Sequence, residues 1–260
     1  MSIPLIEYRN VTVVRKQRPV LDRLTFSIGL GQHVALLGPN GSGKSSLIKT
    51  ITRELYPVPD QPDAWLRIMG RENWNIFELR PLLGIVSQDW MQVCTCSYPA
   101  SEIVLSGFFG SVGIWPNHHV TNEMQVKARE VMEILEIAPL ADRATSELST
   151  GEARRVLIGR ALVHAPKALI LDEPTNSLDL HATRELRDIL RKIVGQGTGI
   201  ILVTHHLPDI IPEIERVILL RDGRVFGDGR KVEMLSSARL SELFGSPIDV
   251  AAHDDYYHAW

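Results

Sequence analysis

The stretch Gly38-Pro39-Asn40-Gly41-Ser42-Gly43-Lys44-Ser45-Ser46 decides how the rest of the chain is read. The residues before it, His33-Val34-Ala35-Leu36-Leu37, are short and apolar and predict a buried strand. The residues after it, Ser45 to Arg53, carry Leu47, Ile48 and Ile51 at helical spacing. A strand therefore enters a glycine-rich loop and a helix leaves it, which is the setting that the pattern G-x-x-x-x-G-K-[ST] requires. Gly38, Gly41 and Gly43 let the backbone turn tightly and approach a ligand. Successive N–H groups then form an anion nest, and the helix N-terminus adds its positive end. Lys44 supplies a point charge for β- and γ-phosphates, Ser45 a hydroxyl for Mg²⁺, and Ser46 a hydroxyl for a further phosphate oxygen. With Pro39, Asn40 and Ser42, these nine residues are the expected ATP-binding loop.

A second motif suits the same chemistry. Ala168-Leu169-Ile170-Leu171 reads as an apolar strand ending in Asp172 and Glu173. In a parallel sheet the C-terminal strand ends line the ligand crevice. Asp172 is expected in the Mg²⁺ shell, and Glu173, one residue on, is expected to orient and polarise a water in line with the γ-phosphate.

The remaining chain fits an α/β fold. Residues 3–9, 11–14 and 24–28 are β-prone, and residues 1–32 are read as an antiparallel β layer. Strands are expected at 64–69, 83–87, 168–172, 199–203 and 216–221, the last paired with 224–227 across Asp222-Gly223. Helices are expected at 121–137, 151–164, 180–194 and, briefly, 207–212. Alternating strands and helices imply a mostly parallel sheet with right-handed crossovers. Residues 89–147 interrupt this pattern with a glycine- and aromatic-rich patch and an amphipathic helix. The expected organisation is one ATPase domain over 1–245, a helical subdomain inserted at about 89–150, and a tail without period over 246–260.

Composition narrows the classes. The 260 residues are 44% hydrophobic and 23% charged, in keeping with a globular core. A formal net charge of -3 gives no electrostatic reason to expect nucleic acid as a ligand. Two cysteines, Cys94 and Cys96, cannot build a disulfide framework and fall short of a four-ligand metal site, so a reducing compartment is expected. MSIPLIEYRN lacks the basic and apolar regions of a secretory signal, and no 18 apolar residues run without charge. Any spanning part is therefore expected from another chain.

Further motifs give the chain a resemblance to the ATP-binding cassette (ABC) ATPases. Leu148-Ser149-Thr150-Gly151-Glu152 resembles the signature LSGGQ, with Arg155 at the expected offset. Gln88 resembles the Q-loop residue, Ser177-Leu178-Asp179 the D-loop, and His205 after Ile201-Leu202-Val203-Thr204 the switch histidine. All stand in the family's order between about residues 3 and 230. The resemblance implies a P-loop NTPase core and a head-to-tail dimer, homodimeric or with a similar ATPase chain. In it Ser149, Thr150, Gly151 and Glu152 close over the other subunit's ATP, and Asp179 works across the interface. It implies that Gln88 contacts Mg²⁺ or the attacking water and that His205 hydrogen-bonds the γ-phosphate and the region of Glu173, making Glu173, His205 and Gln88 the catalytic set. The signature turn also has an independent rationale: Ser149 with Glu152 three residues on is a capping-box pattern, so the helix it opens presents N–H groups and a hydroxyl to an anion.

Departures from the family pattern matter too. Thr150 replaces a glycine and Glu152 a glutamine; a carboxylate aimed at a triphosphate would repel it, so Glu152 is expected to point away. The family's adenine-stacking aromatic is replaced by Arg15, whose guanidinium can stack on a base; Tyr8 is the other candidate. Phe108, Phe109, Ile114 and Trp115 are read as either a partner surface or the core of the helical subdomain. His118-His119 and the tail from His253 to His258 are read as solvated, and His206 has no motif role. The resulting reading is the ATPase subunit of an ABC transporter, cytoplasmic and peripheral on the inner membrane face, driving a transmembrane permease. The detached single cassette leans towards import, and LSTGE and Thr-His-His resemble cassettes of molybdate- or iron-type uptake. The alternative is a soluble ABC ATPase without a transport role. A P-loop kinase would leave residues 148–155 unexplained.

Overall fold

The computed structural model describes residues 3–59, 61 and 63–260. Met1 and Ser2 of the expected β layer lie outside the described residues. In chain order the elements begin with β1 (Ile6–Arg15), β2 (Arg18–Ile28), β3 (Val34–Leu37), α1 (Lys44–Ile51), β4 (Trp65–Ile68), α2 (Ile76–Leu79) and β5 (Leu83–Val86). They continue with α3 (Gln88–Cys94), α4 (Ala100–Ser106), α5 (Asn122–Ile134), α6 (Thr150–Leu162), β6 (Ala168–Asp172), α7 (Leu180–Gly195) and β7 (Gly199–Thr204). The chain closes with β8 (Arg216–Arg221), β9 (Arg224–Arg230), α8 (Lys231–Met234), α9 (Ser237–Phe244), β10 (Val250–His253) and β11 (Tyr256–Ala259). The described residues form two compact units, one from the described residues up to 76 with 200–260, and one over 77–199. The class is α/β, with mostly parallel pairing among the strands that follow the first layer.

In the first unit β1 lies between β2 and β4, antiparallel to both. Alternating apolar residues put Ile6, Tyr8, Val11 and Val13 into the core. The expected break between residues 9 and 11 is a bulge within one strand: the register shifts between Tyr8 and Val11, and Asn10 takes φ 48°. The Tyr8 ring stacks on Phe26 at 4.7 Å, and its hydroxyl meets Thr50 Oγ1 at 2.6 Å and Leu47 O at 3.2 Å. The layer is thereby pinned to α1. β3, buried at every residue, runs parallel to β7 and β8. β8 returns as β9 through Asp222 (φ 51°) and Gly223 (φ 74°), a two-residue turn with both central residues left-handed.

Residues 246–260, expected as a tail, contain a hairpin. β10 and β11 pair antiparallel around Asp254 (φ 51°) and Asp255 (φ 62°). Two aspartates make this turn without the glycine that marks such turns most clearly in sequence.

In the second unit β5 runs parallel to β6. The residues between β5 and α6 form α3, α4, α5 and short 3-10 turns. The Thr121 hydroxyl caps α5 by accepting from Met124 N at 3.2 Å, and Ala128, Val131 and Met132 are buried. The Arg160 guanidinium lies 3.9 Å over the Trp90 ring and donates to Ser111 O at 3.0 Å, tying α6 to α3 and to the glycine-rich loop. In that loop Phe109 stacks on His118 at 4.2 Å, whereas Trp115 is exposed.

Tyr8→Phe tests the pin between β1 and α1. The Thr50 hydroxyl keeps its 2.6 Å bond to Leu47 O, so the loss should be one buried hydrogen bond, about 1 kcal/mol. Urea denaturation should show a lower midpoint with an unchanged slope.

Candidate functional site

The phosphate loop is held from behind. A Cβ built at Gly38 would sit 2.3 Å from Leu220 O, so no side chain fits there. Gly43, the N-cap of α1, has φ 105°, and a Cβ there would meet Val20 O at 2.9 Å. Gly223 N donates to Ser42 O at 3.0 Å, and Asp22 N donates to Gly223 O at 2.8 Å. Turn, loop and β2 are thus linked in series. Lys44 is buried, and its ammonium folds over the loop to donate to Gly38 O at 2.7 Å and Pro39 O at 3.2 Å. Ser45 is exposed and Ser46 half-buried at the first turn of α1, which carries no acidic residue. The donor set fits a polyphosphate: N–H groups of a helix N-terminus, an ammonium, two hydroxyls and no carboxylate in that turn.

The same unit carries the two adenine candidates, Arg15 and Tyr8, and also His205. Arg15, at the end of β1, is exposed. Tyr8 is 1% exposed, and burial drives its hydroxyl pKa upward. Its ring is committed to the core, which leaves Arg15 as the candidate adenine platform. His205 follows β7 and is half-buried, with its ring 3.8 Å from that of His206. Sequence reasoning missed what fixes this corner. The buried Thr204 hydroxyl donates to the buried Asp209 carboxylate at 2.7 Å and accepts from His206 N at 2.9 Å.

The second unit carries Gln88, the 148–152 turn, Asp172, Glu173 and Asp179. Gln88 opens α3 and is exposed. Asp172 ends β6, and both carboxylate residues are half-buried. Glu173 takes φ 50° and Ser177 φ 65°, left-handed conformations that are uncommon for non-glycine residues. Asp179 caps α7 by accepting from Ala182 N at 2.8 Å.

Ser149 caps α6. Its Oγ accepts from Glu152 N at 3.3 Å, and Glu152 Oε2 accepts from Ser149 N at 2.8 Å, completing the capping box. Glu152 is thus turned into its own cap, as its charge required. The Ser149 N–H holds the Glu152 carboxyl below the ordinary range, helped by Arg143 and Arg155. Gly151 packs against Ala182, where an added Cβ would come to 2.9 Å, and Arg155 pairs with Glu185 at 3.7 Å. Arg154, 1% exposed, donates to Asn176 O at 3.2 Å, and burial lowers its pKa. No motif pointed to Arg154, and a charged residue gives no sign of burial in sequence.

The protein-family model described as "ABC transporter" matches residues 21–176, more than half of the chain. The chain belongs to the ABC transporter family. This ABC protein is 32% identical over 256 residues to the uncharacterized ABC transporter ATP-binding protein YlmA of Bacillus subtilis, covering 96% of this chain and 95% of that protein. It is 32% identical over 240 residues to the hemin import ATP-binding protein HmuV of Streptomyces coelicolor, covering 91% of this chain and 81% of that protein. A dimeric bacterial ABC transporter cassette matches in structure with a TM-score of 0.71 at 26% identity, covering 86% of this chain and 98% of the other. The cassette is an ATP-binding subunit of this family, whose activity is ATP hydrolysis. Among its described residues no helix is long and apolar enough to cross a membrane.

The capping box gives the cassette a pH-dependent element. The folded Glu152 pKa lies below the unfolded one, so its stabilisation is complete above the unfolded value of about 4.3 and is lost as pH falls through the folded value. Glu152→Gln should cost roughly 0.3–1 kcal/mol near neutral pH, the worth of a carboxylate at a helix N-terminus. Denaturant unfolding of both proteins at several pH values should show that difference shrinking below about pH 4.

Proposed function

We propose that this protein binds Mg-ATP, pairs head-to-tail with a second copy or a similar ATPase chain, and hydrolyses ATP to ADP and phosphate to drive a transmembrane permease. The observation that carries this reading is the exposed Ser149 turn. It opens a thirteen-residue helix whose Thr150 and Gly151 N–H groups have no intrahelical partner, while the one carboxylate of that turn is bound into its own cap. Such a turn suits an anion brought by another molecule. The dimeric cassette supports the pairing, and the hemin import relative supports a permease partner, import, and a place on the inner face of the membrane.

In this mechanism the residues from Gly38 to Ser46 grip the phosphates and Arg15 stacks on adenine. Ser45, Gln88 and Asp172 have the oxygen donors that would hold Mg²⁺, which neutralises charge on the β- and γ-phosphates. Glu173 orients and polarises the attacking water, and His205 donates a hydrogen bond to the γ-phosphate. Ser149, Thr150 and Gly151 close on the phosphate held by the other copy, with Glu152 stabilising their turn and Asp179 at the contact between copies. Residues 1–245 act as one ATPase domain with a helical part at about 89–150, and the hairpin within 246–260 packs against its Leu207–Asp209 turn.

Glu173→Gln should keep ATP binding, nearly abolish turnover and accumulate an ATP-dependent dimer, read by nucleotide titration, phosphate release and size-exclusion chromatography. A variant that hydrolyses normally, or stays monomeric with ATP, refutes the assigned role. Detergent extraction of native membranes should recover the ATPase with a multi-span membrane protein. Recovery without one, with activity indifferent to membrane extracts, would favour a non-transport ABC ATPase.

A further inference from the structure

Arg154 carries a buried charge that no step of the proposed mechanism uses. It is 1% exposed, in the first half of α6, and its Nη2 donates to Asn176 O at 3.2 Å. Its Nε and Nη1 are buried without a partner among the described residues. Burying a guanidinium with donors unmet costs stability, and an apolar side chain of similar volume would fill the same space at less cost. Packing therefore does not account for an arginine here; its bond to the loop does. That loop needs holding. It runs from Glu173 to Asp179, between β6 and α7. Two internal turns close it, Asn176 N donating to Glu173 O at 3.2 Å and Leu178 N to Thr175 O at 3.0 Å. Glu173 (φ 50°) and Ser177 (φ 65°) are left-handed, and such strained conformations persist only where the surroundings impose them. The far end of the loop is fixed by α7, which packs on α6 through Ala182 against Gly151 and Glu185 against Arg155. Arg154 holds the middle.

We propose that Arg154 is a positioning residue for ATP hydrolysis: by gripping Asn176 O it holds the 173–179 loop in the shape that aims the Glu173 carboxylate at the attacking water. The proposal rests on the role given above to Glu173. Arg154 acts through the loop backbone and not on the nucleotide, so its loss lowers kcat and leaves ATP binding alone.

The test compares Arg154→Met and Arg154→Lys with the parent protein. Met fills much of the same space without unmet donors, and Asn176 is exposed, so its carbonyl can turn to water. Arg154→Met should therefore unfold at the parental urea concentration or a higher one. Its kcat should nevertheless fall about tenfold or more, with KM for ATP within about twofold of the parent value. Arg154→Lys keeps a donor for Asn176 O and should recover most of that loss. Amide hydrogen exchange, measured without nucleotide, should be faster over residues 175–178 in Arg154→Met and unchanged in β6. Parental exchange over 175–178 in Arg154→Met overturns the tie. Faster exchange with parental kcat overturns the positioning role, and so does a fall in kcat that comes with a lower urea midpoint or that Lys does not recover. Parental turnover in Glu173→Gln overturns the role of Glu173 and leaves the exchange result standing.

Discussion

The carbonyl of Leu220 leaves no room for a side chain at Gly38: a Cβ there would lie 2.3 Å from it. That contact fixes where the phosphate loop starts, and the rest follows from it. β8 carries Leu220, and the turn after β8 supplies Gly223, whose N–H holds Ser42 O at 3.0 Å. The loop is therefore gripped at its first glycine and again four residues on, both times by backbone. An anion nest works only if its N–H groups already converge, because reorienting them on binding would cost what the ligand contributes. β8 and its turn hold the loop from behind, so a strand far along the chain constrains the shape of a loop near its beginning.

A similar economy governs the two helix starts in the second unit. Ser149 caps α6 and Asp179 caps α7. The first turns pack directly, with Gly151 against Ala182 and, one turn on, Arg155 paired with Glu185. Arg154 reaches from α6 to Asn176 O, in the loop where Glu173 and Ser177 are left-handed. A buried guanidinium is costly unless it is hydrogen-bonded. Here one of its three nitrogens, Nη2, binds a carbonyl of the loop between β6 and α7, while Nε and Nη1 are buried without a partner among the described residues, so α6 constrains that loop through a backbone contact that only partly offsets the cost. The two N-termini consequently behave as one surface.

Much of this was legible in sequence because it rests on local chemistry. The glycines and Lys44-Ser45 sit between a strand and a helix that each announce themselves by period, and Ser149 with Glu152 spells out its own cap. Asp222-Gly223 names its turn. What stayed hidden depends on distant partners. Nothing near Tyr8 shows that its hydroxyl meets Thr50, so it remained a rival to Arg15 until its burial was known. The bulge at Asn10 continues a strand that local pattern divides. The 254–255 turn lacks glycine, and its hairpin is exposed over much of its surface, so no apolar alternation betrays it.

The corner after β7 fixes the backbone that carries His205 while leaving its ring at the edge of a cavity. Thr204 uses its single hydroxyl twice, donating to Asp209 and accepting from His206 N. Both partners lie within five residues, and the Thr204 side chain is fully buried, so the path of the backbone out of β7 is set locally. That path determines where His205 begins but not which rotamer its ring adopts. The ring is half-buried, faces the ring of His206, and borders a cavity walled in part by the C-terminal hairpin. A hairpin of two short strands is marginal by itself and persists here through contacts with its neighbours, such as Val250 N donating to Ser237 Oγ at 3.0 Å. The rigid part of the corner therefore aims the histidine, and the soft part borders its side chain.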